Sequence, residues 1–421
     1  MIRKAGILLI FLLYGLHISA QISLKGRVIS ADSHQPVVAA NVYLSNTSVG
    51  TITDAKGEFN ITHFPAGRFD LVVSFIGYET YRLELRSDKL PNNLEILLHP
   101  KINELQEVIV ESYDKDGWDK WGKIFTDNFI GTASFAQDCK LMNPDAVHFR
   151  FEKKRNIIKV TADEQLIIEN NALGYLLKYN LTKFEYNPDT KEFFFQGFPF
   201  FEEMQTDRRG LSKRWVENRQ AAYYGSITHF MRSLYRNKLI EQEFEIKKLV
   251  NVSPAERKRV EALYRTIPKG IRSRQKTLIS GAGKEITVKD SSESTPEDSL
   301  TYYESVVKQP DNTLVLINGL LNADNIAYAI DSFTVGLLFD SKIQVAYKPQ
   351  RNPVEYQRYL PRNVYNAPVS SVIYLINGRP VIILANGSYF DGSELMIQGY
   401  WAWWEKMCTK LPYEYWPPPK K

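Results

Sequence analysis

At 421 residues the chain is longer than one ordinary core requires, and two or three domains are expected. Its 44% apolar and 24% charged residues belong to a folded globular protein and exclude general disorder. The formal charge of +5 is small, and basic residues alternate with acidic ones, as in Glu152-Lys153-Lys154-Arg155, which excludes a nucleic-acid partner on charge grounds.

Residues 1–20 have the three-part order of a secretory signal: Arg3 and Lys4, an apolar run from Ala5 to Leu16, and a polar end at His17-Ile18-Ser19-Ala20. The run is short of the ~20 residues that span a bilayer, so export with cleavage before Gln21 is expected. Exported chains meet oxidising conditions, in which Cys139 and Cys408 either pair or stay as two buried thiols.

From Gly26 the pattern is that of a small β-sandwich. Gly26-Arg27-Val28-Ile29-Ser30 begins an alternating strand, and a polar break ends at Pro36. Ala40, Val42 and Leu44 then share one face, with Asn41, Tyr43 and Ser45 on the other, which predicts a sheet with one buried face. Asp54 and Gly57 close a hairpin, Asp54 by accepting turn N–H groups and Gly57 by a positive φ. Phe59 and Ile61 follow into the core, Pro65-Ala66-Gly67 turns the chain, Phe69 to Phe75 is a strand, and Gly77-Tyr78 is a corner.

These residues resemble the carboxypeptidase regulatory-like domain, a seven-stranded transthyretin-like sandwich. The resemblance rests on Gly26-x-Val28, Pro36, Ala40-x-Val42-x-Leu44, Gly50-Thr51-x-Thr53-Asp54-x-x-Gly57-x-Phe59, Pro65-x-Gly67, Leu71 and Gly77-Tyr78. It implies an N-terminal domain common in outer-membrane proteins of Bacteroidota, and Leu105 to Glu111 resembles the segment leading into the plug of TonB-dependent receptors. About 300 residues remain, without the run of some 22 strands a receptor barrel needs, so a receptor is excluded. The metal-dependent catalytic domain of carboxypeptidases is absent from the match. Beyond Asp116 the chain is similar to exported Bacteroidota proteins carrying the same N-terminal domain, a similarity that implies no activity.

Asp116 to Phe129 places Trp118, Trp121, Ile124, Phe125 and Phe129 on one helical face, a core stripe or a ligand platform. Val147 to Phe151 and Ile157 to Thr161 predict an antiparallel pair, and Tyr175 to Leu181 with Phe193 to Gly197 another, followed by the aromatic Phe198-Pro199-Phe200-Phe201. Near Ser212 a helical period begins, broken at Gly225-Ser226, with Arg214, Arg219, Arg232 and Arg236 read as its polar side. Ser253 caps a further helix. Asp290 to Asp298 reads as an exposed loop. Strands resume at Thr313 to Ile317, Ser332 to Phe339 and Ile343 to Tyr347. Ser371 to Leu375 and Val381 to Leu384 bracket Asn377-Gly378-Arg379-Pro380, a hairpin signal. The fold class expected is mainly β with an α+β C-terminal region: a seven-stranded sandwich, then a larger antiparallel-sheet domain with a few helices. The domains expected are a signal peptide at 1–20, the sandwich at 21–100, a linker at 101–115 and a second domain at 116–421, divided near 205–270 by the helical segment. On this reading, the second domain folds without the first.

Chemistry is sparse. His34, His63, His99, His148 and His229 lack metal-ligand spacing, and no nucleophile elbow, phosphate loop or dinucleotide fingerprint occurs, so no catalytic residue, metal or cofactor is assigned. Glu202-Glu203 and Asp391/Glu394 are carboxylates of the sort a glycosidase needs, among 48 acidic residues. Trp401, Trp403 and Trp404 are the ligand-contact candidates, since sugar faces stack on indoles. Two functions are therefore expected. One is a non-enzymatic periplasmic or outer-membrane-associated scaffold that binds an envelope protein or outer-membrane complex. The alternative is a carbohydrate-binding or carbohydrate-active protein.

Overall fold

The structure is a computed structural model that describes residues 22–101, 113–251, 253–267, 303, 306–307, 314–316 and 320–419. The expected signal peptide, the Leu105 to Glu111 segment and the Asp290 to Asp298 loop lie outside the described residues. The described residues fall into two compact units, 22–114 with 143–167 and 177–203, and 115–142 with 168–176 and 204–419.

Seven strands open the first unit: β1 (Leu24–Ser30), β2 (Asn41–Leu44), β3 (Gly50–Ile52), β4 (Glu58–Ile61), β5 (Arg68–Ser74), β6 (Tyr81–Arg86) and β7 (Leu94–Leu98). They form two sheets, β4-β1-β7 and β3-β2-β5-β6. Alternation along β1 and β4 sends Leu24, Val28, Phe59 and Ile61 into a core shared with Leu44 and Leu71 from the other sheet. The β1/β7 pairing is parallel, and Gly26 allows it, because a Cβ there would stand 2.3 Å from the Leu94 carbonyl and 2.6 Å from the Phe59 ring. The Asp54 hairpin forms as expected. The Asp54 carboxylate accepts from the N–H groups of Lys56 and Glu58, each at 2.8 Å, and Gly57 has φ +75°.

The chain continues through α1 (Gly117–Phe129), β8 (Cys139–Leu141), β9 (Val147–Glu152), β10 (Ile157–Ala162), β11 (Leu166–Asn170), β12 (Tyr175–Tyr186) and β13 (Phe193–Glu203). β9 and β10 are antiparallel, Val160 of β10 faces Phe184 of β12, and β13 pairs with β12. This corrects the expectation for β2. Tyr43 and Ser45 are buried, at 1% and 5% exposure, because β13 covers the face that alternation assigned to water. Tyr43 donates to the Phe198 carbonyl at 3.0 Å and packs on the Phe200 ring at 5.0 Å, while Phe201 N–H donates to the Thr47 carbonyl. A polar-looking face made of Asn, Tyr and Ser is thus a second interior, satisfied by hydrogen bonds.

In the second unit α1 buries Phe125 and Phe129, but Trp118 lies over Gly122 and stays 39% exposed, so the apolar stripe is narrower than its period implied. Next come α2 (Arg209–Tyr223), α3 (Ile227–Tyr235), β14 (Phe244–Asn251), α4 (Pro254–Thr266), β15 (Leu314–Leu316), β16 (Ala327–Ala329), β17 (Thr334–Leu337) and β18 (Lys342–Arg351). The last elements are α5 (Val354–Gln357), β19 (Pro368–Leu375), β20 (Val381–Leu384), β21 (Tyr389–Phe390), β22 (Leu395–Gly399) and α6 (Tyr400–Trp404). Two antiparallel sheets result, β15-β14-β18-β19-β22 and β16-β17-β20-β21. Gly225 at φ +80° separates α2 from α3, and the Ser226 hydroxyl accepts from His229 N–H as the cap of α3.

Two sequence expectations are corrected here. The Asn377-Gly378 turn does not join a hairpin, because β19 pairs with β18 and β22 while β20 pairs with β17 and β21. The Asn377 amide donates to the Glu394 carboxylate at 2.9 Å, and Ile376 N–H donates to the Glu394 carbonyl, holding the end of β19 on β22. Arg219 and Arg232, assigned to a polar helix face, are buried. Each guanidinium ends on backbone carbonyls, Arg219 on those of Leu173 at 2.7 Å and Gly174 at 3.2 Å. The fold class itself holds: the chain is mainly β, with a seven-stranded N-terminal sandwich followed by antiparallel sheets and few helices.

Candidate functional site

Within the first unit, a cleft of about 80 Å³ is lined by Asn41, Ser74, Tyr78, Lys101, Asp163 and Asn180, with Ile76 at its mouth. Local backbone geometry places each. Gly77, at φ +82°, turns the chain so that Tyr78 N–H returns to the Phe75 carbonyl, which leaves Ile76 on the outside at 75% exposure. The Lys101 N–H then donates to the Gly77 carbonyl, setting Lys101 beside that turn, and its ammonium donates to the Asp163 carbonyl at 3.0 Å. On the opposite side, the 162–165 turn is held by Asn143, whose amide donates to the Glu164 carboxylate and the Gln165 carbonyl, both at 3.0 Å. The floor is polar: the Asn180 amide donates to the Tyr43 hydroxyl at 2.7 Å, and burial pushes the Tyr43 phenol above its ordinary range.

Next to the cleft, His148 Nε2 meets the Asp163 carboxylate at 2.5 Å, and the Tyr113 ring stacks on His148 with centroids 4.9 Å apart. Asp163 thus has its carbonyl on Lys101 and its carboxylate on His148. At about 80 Å³ the cleft is small against the roughly 300 Å³ or more of a small-molecule pocket. Its size and its mixed charge suit the tip of one side chain or a stretch of backbone.

The tryptophans proposed from sequence lie elsewhere, in the second unit. Trp401 and Trp404 are 2% and 5% exposed, and Trp403 is half-buried. Each indole N–H is used internally: Trp401 donates to the Gly225 carbonyl at 2.7 Å, Trp403 to the Thr132 hydroxyl at 2.9 Å, and Trp404 to the Ala222 carbonyl at 3.4 Å. Phe230 packs on Trp401, Tyr356 on Trp403 and Tyr400 on Trp404, with centroids 5.1 to 5.4 Å apart. Among the carboxylates, Glu202 pairs with Lys178 at 2.5 Å, and Glu394 accepts from Asn377. Asp391, at φ +60°, begins the 392–394 turn. Among the described residues no group of three or more His, Cys, Asp or Glu is placed to hold a metal ion.

Sequence reasoning did not find Lys101, Asp163 or His148 as neighbours, since they come from a connector, a turn and a strand with no shared motif. The one signal available was the polar face of β2, where Asn41 and Tyr43 look solvated and instead face Asn180.

Comparison with known proteins gives a consistent picture of the N-terminal region. A family model of the CarboxypepD_reg-like domain matches residues 24–110. The TonB-dependent receptor P39 of Formosa agariphila is 33% identical over 97 residues, which are 23% of this chain and 9% of the receptor. The TonB-dependent receptor SusC of Bacteroides thetaiotaomicron is 35% identical over 94 residues, 22% of this chain and 8% of the receptor. The chain therefore spans 8 to 9% of the length of these receptors. Residues 24–110 are a CarboxypepD_reg-like domain, a domain type that TonB-dependent receptors also carry.

Proposed function

We propose that the chain is an exported, non-enzymatic protein of the periplasm or the periplasmic face of the outer membrane. It binds or scaffolds an envelope partner through its sandwich and its larger β-rich region. The observation that carries this reading is the CarboxypepD_reg-like domain at residues 24–110 and its likeness to segments of two TonB-dependent receptors. The cleft adds support, because its small polar interior and the exposed Ile76 at its mouth suit a protein segment better than a free organic ligand.

The reading is tested by fractionating cells that express the tagged full chain, cross-linking, and identifying what is recovered with it. Recovery from the envelope with a stoichiometric protein partner is expected. A chain found alone in the soluble fraction contradicts the proposal. The carbohydrate alternative requires Trp401, Trp403 and Trp404 to be uncovered, and tryptophan fluorescence titrated with a glycan panel reads it directly. No saturable change is expected.

A further inference from the structure

The two cysteines, 269 positions apart in sequence, come together in the second unit. Cys139 stands opposite Asn170 in the β8/β11 ladder, so both side chains leave the same face of that pair. The Asn170 amide donates to the carbonyls of Met407 at 3.3 Å and Cys408 at 3.1 Å, which brings the segment after α6 onto that face. Backbone bonds fix it there: Met407 N–H donates to the Phe129 carbonyl at 3.0 Å and Cys408 N–H to the Ile130 carbonyl at 2.9 Å. Both sulfurs then meet one short loop. The Cys139 thiol donates to the Phe135 carbonyl at 3.4 Å, and the Cys408 sulfur faces the Ala133 N–H two residues away. Both are free thiols in this structure.

We propose that Cys139 and Cys408 are a disulfide site that ties β8 to the segment following α6 when the chain meets a disulfide oxidant. Cys139 is the more accessible of the two, Cys408 being fully buried. As a thiolate, Cys139 attacks one sulfur of the oxidant RSSR, forming the mixed disulfide and expelling RS⁻. The Cys408 thiolate then attacks the Cys139 sulfur, forming the protein disulfide and expelling the second RS⁻. Two protein thiols are oxidised, one RSSR is reduced to two RSH, and the protons from the cysteines end on the released thiols. Burial raises Cys139 above the usual thiol range, with the nearby Cys408 charge adding to it, and burial pushes Cys408 up to about 12. The reaction is therefore slow at neutral pH and quickens as pH rises.

This inference stands apart from the binding proposal and needs no partner. The purified full chain is incubated with oxidised glutathione, denatured, alkylated and mapped by mass spectrometry with and without reduction. The expected result is no alkylated cysteine before reduction and a linked pair of peptides containing Cys139 and Cys408. Reduction is expected to lower the Tm of the oxidised chain by about 5 °C or more, with no such change in Cys139→Ser or Cys408→Ser. Two alkylated thiols after prolonged incubation, or a glutathione adduct on Cys139 that Cys408 does not resolve, overturns the proposal. The peptide map decides even where a variant fails to fold.

Discussion

Arg232 is 1% exposed, and its fork reaches three backbone carbonyls: Nε to Asn386 at 2.8 Å, Nη1 to Tyr415 at 2.9 Å and Nη2 to Tyr413 at 2.8 Å. The guanidinium also lies 3.8 Å from the centroid of the Trp416 ring, so one side chain on α3 pins the extended C-terminal segment. Arg232→Ala leaves three carbonyls without their donor and is expected to cost about 3 kcal/mol or more in urea unfolding, with Trp416, already 47% exposed, becoming more accessible to fluorescence quenchers. A loss under about 0.5 kcal/mol contradicts the pinning role. Lys406 makes a pH prediction. Burial depresses its amine from 10.5 to about 7, with the nearby Cys408 and Glu405 opposing that shift. Between about 7 and 10.5 the unfolded chain holds a proton that the folded chain lacks, so stability is greatest above the unfolded value and is lost as pH falls through that window. The slope is up to about 1.4 kcal/mol per pH unit. Lys406→Met is expected to flatten unfolding free energy against pH across this range and to raise stability at pH 7, and an unchanged slope contradicts the assignment. Neither residue was legible from periodicity, which registers the charge on Arg232 but not the carbonyls that receive it.

At the scale of elements, turn chemistry and alternation were read correctly wherever the partner was local. Asp54 and Gly57 close their hairpin, Gly225-Ser226 divides α2 from α3 and Ser253 caps α4, because each of these signals is satisfied within a few residues. Signals whose outcome depends on distant chain failed. Asn377-Gly378 is a turn, yet β18 and β22 take both edges of β19, so β20 joins another sheet. The outer face of β2 looked solvated until β13 covered it. Tyr43→Phe removes the bond to the Phe198 carbonyl and the acceptor for Asn180 and is expected to cost about 1–3 kcal/mol. Phe201→Ala, at a fully buried position on β13, is expected to cost about 3–5 kcal/mol by thermal or urea melting. Both variants behaving like wild type would show that β13 contributes little to the cover of β2.

For the whole molecule, the sandwich, its seven strands and the β-rich remainder were legible because glycines, prolines and alternation encode a small sheet locally. The cleft was not, because Ile76, Lys101 and Asp163 meet only through tertiary contacts. The sequence places a boundary at 101–115, while the contacts of Tyr43, Thr47 and Asn46 with 180–201 group that segment with the sandwich. Deleting residues 22–101 is therefore expected to leave a cooperative melt from the second unit but to abolish hydrogen-exchange protection across 177–203. Full protection there contradicts this expectation, as does the absence of any melt. The proposed function has the sandwich cleft meet an envelope partner. Its most direct test is quantitative capture from cross-linked envelopes by the tagged full chain, compared with Ile76→Asp, a change at an exposed position that spares the core. A partner is expected to be recovered with the wild type and depleted about fivefold or more with the variant, the equivalent of roughly 1 kcal/mol of binding. Equal recovery with both chains, or recovery of the chain alone, would contradict it.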